Sequence, residues 1–154
     1  MEKQALRVAS RAGIVAGLVL GLFLKGMEVL TQTKVYTLLL NLDYIPFLNQ
    51  LNLPEIIEFL FHMIVSVILS IILMFIIRLR SWSKQKTFNL IVTISIFIGI
   101  LLYPTTVLSE RTPGLFDLSA IAFWIVGHGI YGIVLGFYLC NRFKDDLERD
   151  IELQ

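Results

Sequence analysis

Apolar residues gather into four runs, at about 12–30, 55–77, 88–108 and 118–140. Each is close to the roughly 20 residues that carry a helix across about 30 Å of hydrocarbon, so four transmembrane helices are expected. Helix-breaking and charged residues punctuate them. Pro54 opens the second run, Arg78 and Arg80 close it, Pro104 bends or ends the third, and Pro113-Gly114 makes a turn before the fourth. Between the first two runs, Thr31 to Leu53 mixes Tyr36, Tyr44 and Phe47 with leucines, which predicts a loop lying along the membrane interface and partly helical. The expected fold is an all-α membrane protein: a single domain over residues 1–154, a bundle of four transmembrane helices with that interfacial outer loop between helices 1 and 2, and a solvated charged tail over 141–154.

Composition changes this picture little. With 56% hydrophobic and 16% charged residues and a mean hydropathy of +0.79, the chain does not read as a soluble domain. A net charge of +1 argues against a nucleic-acid partner. Cys140, the sole cysteine, excludes an intrachain disulfide. The first run lacks a small-residue cleavage pattern and is expected to be retained. Charge placement is more informative. Lysines and arginines concentrate before the first helix (Lys3, Arg7, Arg11), between the second and third (Arg78, Arg80, Lys84, Lys86) and after the fourth (Arg142, Lys144, Arg149), while only Lys34 and Arg111 fall in the opposite loops. That bias places both termini in the cytoplasm.

Several polar residues interrupt the runs. From the rise of about 1.5 Å per residue, Glu28 and Glu58 lie roughly 5 Å into the hydrocarbon from the outer surface, Tyr103 roughly 8 Å, Lys25 and His62 roughly 10 Å, and His128 roughly 15 Å. Helical spacing puts these groups on shared faces. Gly13, Gly17, Gly21, Lys25 and Glu28 form one stripe, Glu55, Glu58, His62, Ser66 and Ser70 a second, and His128, Gly132 and Gly136 a third, with Tyr131 beside His128. The glycines mark helix-packing faces. Two unpaired charges in the first span would oppose insertion by roughly 5–7 kcal/mol, about as much as its apolar residues favour it, so Lys25 is expected to pair with Glu28, or with Glu58 across the bundle. The inference is one outward-opening polar cluster of Lys25, Glu28, Glu58, His62, Tyr103, His128 and Tyr131.

These residues also carry a resemblance. The glycine-rich first helix running into Lys25-Gly26-Met27-Glu28-Val29, the His62 and Ser66 of HMIVS, the Tyr103-Pro104 end of the third helix, the PGLFDL turn (Pro113 to Leu118) and WIVGHGIYG (Trp124 to Gly132) together resemble the YagU family of bacterial inner-membrane proteins. The resemblance covers most of the chain and implies an inner-membrane location, a loose association with acid tolerance, and no mechanism.

Three classes of function follow. In the first, His62 and His128 titrate under the influence of Lys25, Glu28 and Glu58, giving a protein that handles protons or small ions. The alternative is a metal or cofactor site on Glu28, Glu58, His62 and His128, although no HExxH pair is present and Lys25 would repel a cation. The third is a non-catalytic assembly subunit, docking a second copy or another membrane protein through its glycine stripes. No serine elbow or other hydrolase pattern is evident, so no enzyme and no resident cofactor are expected.

Overall fold

The computed structural model describes residues 2–43, 45, 53–80 and 82–152, with side chains described as far as Asn141. All regular structure among them is helical: α1 (Glu2–Thr31), α2 (Val35–Leu40), α3 (Glu55–Arg78), α4 (Lys84–Leu102), which continues as a 3-10 turn (Tyr103–Leu108), and α5 (Leu118–Glu152). Four stretches, Lys3–Thr31, Glu55–Arg78, Lys84–Leu108 and Leu118–Asn141, are long and apolar enough to cross a membrane.

Helix ends differ from the apolar runs for a physical reason. A run of apolar residues marks where hydrocarbon is tolerated, whereas the hydrogen-bonded spiral continues wherever its backbone is satisfied. Thus α1 extends back through Arg11, Arg7 and Lys3, and α4 begins at Lys84, with Ser83 Oγ accepting from the Lys86 N–H. Pro104 tightens the third span into a 3-10 turn instead of letting it run on as an α-helix. Pro54, extended at ψ 146°, sets the start of α3, and Asp117 Oδ1 caps α5 by accepting from the Ala120 N–H at 3.0 Å. Gln32 ends α1 in the left-handed region, at φ 61°. The expected partly helical connection contains α2; Tyr44 and Phe47 lie outside the described residues, as do the side chains of the tail beyond Asn141.

α1 is central. It packs on α3 and on α5, α4 packs on α5, and α2 lies across α1. The consecutive helices α3 and α4 share no extended interface, so the row of contacts runs α3, α1, α5, α4 with one side left open. Small residues make the close approaches. Ala9, Ala12 and Ala16 are fully buried, and a Cβ on Gly13 would lie 2.8 Å from the Val67 Cα and 2.9 Å from the Ser66 carbonyl oxygen. Serines then fasten α3 to the buried backbone of α1: Ser66 Oγ donates to Gly13 O at 2.8 Å and Ser70 Oγ to Ala9 O at 2.7 Å. On the other seam, Gly132 meets the Val92 backbone and Ser95, and Gly136 meets the Phe88 ring. The glycine stripes are therefore filled from within the chain, leaving no room there for a second subunit. The opposite faces carry exposed Ile64, Ile68, Ile72 and Phe75, a surface suited to acyl chains and not to water.

Candidate functional site: a histidine-lined cavity

The structure separates the expected polar cluster into two sets. The first is a girdle at the end of the bundle that carries α2. Lys25 pairs neither with Glu28 nor with Glu58; its ammonium contacts Glu55, the first residue of α3, and lies 5.0 Å over the Tyr36 ring. Both partners are exposed, at 50% and 58% of their side chains, so the ion pair itself is screened and worth little. Tyr36 donates to the same Glu55 carboxylate at 3.1 Å. Partial burial, reinforced by that carboxylate, pushes its phenol up to about 12.

Glu28 serves a different task. Its two oxygens accept from the Thr37 N–H and Thr37 Oγ1, each at 2.8 Å, pinning the first turn of α2 to the end of α1. A six-residue helix is too short to persist without such anchors. Glu58 is buried and bound in a fork by Arg111, at 3.1 and 3.3 Å. Arg111 also reaches Asp43 at 4.0 Å, and Asp43 takes a hydrogen bond from Ser109. The hydrogen bond to Glu58 holds the Arg111 guanidinium above its already high ordinary value. This latch joins three segments: the turn before α5, the start of α3 and the chain after α2. Tyr103 is equally structural, donating to Gly114 O at 3.0 Å and packing edge-on against Trp124.

The second set surrounds a cavity of about 140 Å³. His62 and Ser66 reach it from α3, Ser95 from α4, and Trp124, His128 and Tyr131 from α5. Leu38, Leu39, Leu42 and Ile45 roof it from α2 and the residues that follow. Most of the wall is apolar. Counted from the helix ends, His62 and Ser95 lie about 10 Å and His128 about 15 Å below that roof level. Phe61, Val65 and Leu102 line the cavity and are also exposed, which identifies the unpacked seam between α3 and α4 as its mouth.

Local structure fixes each polar group. Gly99 provides the space: a Cβ there would lie 2.7 Å from the His128 ring, and its carbonyl accepts from Trp124 Nε1 at 2.8 Å. His128 packs against Trp124 with ring centroids 4.6 Å apart and the planes tilted by 46°, and its Nδ1 lies 2.9 Å from the Trp124 carbonyl one turn earlier. Because a carbonyl only accepts, that contact places the imidazole proton on Nδ1 and leaves Nε2 as the lone-pair nitrogen. His62 Nε2 faces Gly17 O at 3.4 Å, with the Phe59 ring alongside. The Tyr131 hydroxyl lies 3.1 Å from Ser66 Oγ and 3.3 Å from the Ser66 carbonyl.

Of the expected cluster, His62, His128 and Tyr131 meet at this cavity, whereas Lys25, Glu28, Glu58 and Tyr103 do not. The ligand set proposed for a metal is dispersed accordingly: Glu28 and Glu58 are committed to Thr37 and Arg111, and no group of three histidine, cysteine or acidic side chains converges among the described residues. Sequence reasoning missed Arg111, Asp43, Gly99 and Ser95. Arg111 had a signal, as one of two cations in loops facing the acidic start of α3; Gly99 and Ser95 had none, being small residues inside an apolar run.

Fold and site together define an all-helical chain with four helices long and apolar enough to span a membrane, built around a largely apolar cavity with a polar floor. No family model, curated protein or solved structure matches it.

Proposed function

We propose that the chain is a multi-pass membrane protein that binds a largely apolar small molecule in this cavity, and that it is not an enzyme. The observation carrying the proposal is the convergence of His62, Ser95, His128 and Tyr131, from three helices, on the floor of an apolar cavity whose mouth opens sideways between α3 and α4. Apolar walls with a few fixed polar groups are the usual make-up of small-molecule sites. An opening on the helix flank suits a ligand that arrives through lipid. The clustering of lysine and arginine at the end opposite α2 supports cytoplasmic termini, and the resemblance to the YagU family supports a bacterial inner membrane.

Blocking the mouth tests this reading. Val65 is 60% exposed and lines the opening, so Val65→Trp fills the passage without crowding the core. With an apolar fluorescent probe and purified protein in detergent, the variant is expected to bind at least about tenfold more weakly at unchanged thermal stability. Equal binding by the variant, or no saturable binding by the wild type, rejects the cavity as a binding site.

A second reading keeps the link to acid tolerance through proton handling. It is favoured by the two imidazoles lining a cavity that no carboxylate among the described residues lines. Protonating His128 would put a second N–H, and an uncompensated charge, into that space, which must then hydrate or widen. In a Trp82→Phe background, Trp124 emission is expected to fall as the pH is lowered from about 7 to about 4 and to stop responding in His128→Gln. A flat wild-type response removes this reading and leaves the first intact.

A further inference from the structure

The hydrogen-bond bookkeeping of the cavity specifies its ligand further, on the reading that the cavity is a binding site. Nearly every donor hydrogen on its wall is already committed to the protein backbone. His128 Nδ1 donates to Trp124 O, Trp124 Nε1 to Gly99 O, Ser66 Oγ to Gly13 O, Ser95 Oγ to Ile91 O at 2.8 Å, and Thr105 Oγ1 to Leu102 O at 2.7 Å. His62 Nε2 is directed at Gly17 O, and the Tyr131 hydroxyl has both Ser66 oxygens within reach. The spare capacity is in lone pairs: the free ring nitrogens of the two histidines and the oxygens of Ser95 and Thr105. Among the described residues, this wall accepts hydrogen bonds and has almost none to give.

Charge narrows the class again. Among the described residues, no lysine, arginine, aspartate or glutamate lines the cavity. The charged groups at the α2 end of the bundle are occupied with one another or with Thr37: Lys25 with Glu55, Arg111 with Glu58 and Asp43, and Glu28 with the start of α2. An ionic ligand would enter a low-dielectric space without a counter-charge.

We infer that the ligand is a neutral lipophilic alcohol or phenol, whose hydroxyl donates to His128 Nε2 while its apolar body lies along Leu20, Val65 and Ile98 and leaves through the seam between α3 and α4. A space of about 140 Å³ holds the head and first carbons of such a molecule; the rest lies between the helices and lipid. Ketones, esters and ethers of similar shape bring only acceptors and meet lone pair with lone pair.

The test compares 1-decanol, decyl methyl ether and decanoate against full-length Trp82→Phe protein in detergent, reading Trp124 emission. The alcohol and its ether share a hydrocarbon body and differ in the hydroxyl proton. Decanol is expected to saturate the signal at about tenfold lower concentration than the ether, with decanoate weaker than decanol. In His128→Phe the alcohol is expected to lose its advantage over the ether. Equal binding of decanol and ether to the wild type overturns the hydroxyl assignment while leaving a binding cavity. Tighter binding of decanoate overturns the neutral class. Saturation by none of the three, in a protein that binds no apolar probe either, overturns the underlying reading instead. The wild-type comparison needs no variant, so it stands even where His128→Phe fails to fold.

Discussion

Arg111→Ala is expected to destabilise the bundle by about 2–3 kcal/mol, and by more than Glu58→Gln, although both changes remove the same ion pair. The asymmetry comes from burial. Glu58 keeps only 7% of its side chain exposed, while Arg111 keeps 51%. Removing the arginine strands a carboxylate away from water, whereas neutralising the glutamate leaves a cation free to rehydrate and to hold Asp43, 4.0 Å away. The half-exposed guanidinium is why the figure lies below that for a fully buried pair. Denaturant titration of both variants in detergent, followed by helical circular dichroism, measures the difference. Equal losses, or a larger one for Glu58→Gln, would show that the carboxylate is better hydrated than the fork with Arg111 implies. The double variant Arg111→Ala/Glu58→Gln should recover part of the loss, since it leaves no buried charge behind.

The second large effect is expected at Gly13. An alanine there would set its Cβ 2.8 Å from the Val67 Cα and 2.9 Å from the Ser66 carbonyl oxygen. Both are backbone atoms of α3 and cannot swing aside, so relief requires the two helices to separate, stretching the Ser66 and Ser70 hydrogen bonds to α1. A cost of about 1–3 kcal/mol follows. Gly26, on the same helix, has no atom within 4 Å of its Cβ position, and Gly26→Ala is expected to be neutral or to stabilise by up to about 1 kcal/mol through helix propensity. Gly21 is intermediate, because its close neighbour is the edge of the half-buried Phe59 side chain and not backbone. Thermal unfolding of the three alanine variants gives the ranking. A Gly13→Ala protein as stable as Gly26→Ala would mean that α1 and α3 are not in contact along this seam.

How much of this was legible in the sequence depends on what kind of signal each feature leaves. The four long helices were, because a run of about 20 apolar residues is what a membrane-crossing helix requires, although the helices extend past those runs wherever the backbone stays satisfied. Glycine at i, i+4, i+8 likewise pointed to the faces used, since backbone approach has few other causes. Partnering inside the polar cluster was not legible. Lys25 stands one turn from Glu28, and spacing alone favours that pair; what decides otherwise is Thr37, whose backbone and hydroxyl together claim Glu28. Likewise the pattern set Glu58 only opposite Lys25, and the cation that reaches it, Arg111, lies 53 residues away in the chain. The cavity was half visible. His62, His128 and Tyr131 stood out as polar residues in apolar runs, but a cavity is defined by what fails to pack, and nothing in the pattern of α3 and α4 indicates that neighbours in sequence would stand apart.

That separation also bears on how the molecule comes to be assembled. The turn linking α3 to α4 is short, yet α4 has its extended partner only in α5, the last of the four long helices, while α1 gains its second long neighbour at the same moment. A nascent chain ending before Leu118 would therefore hold α4 with no helix to settle against, and the final segment closes the architecture in a single step.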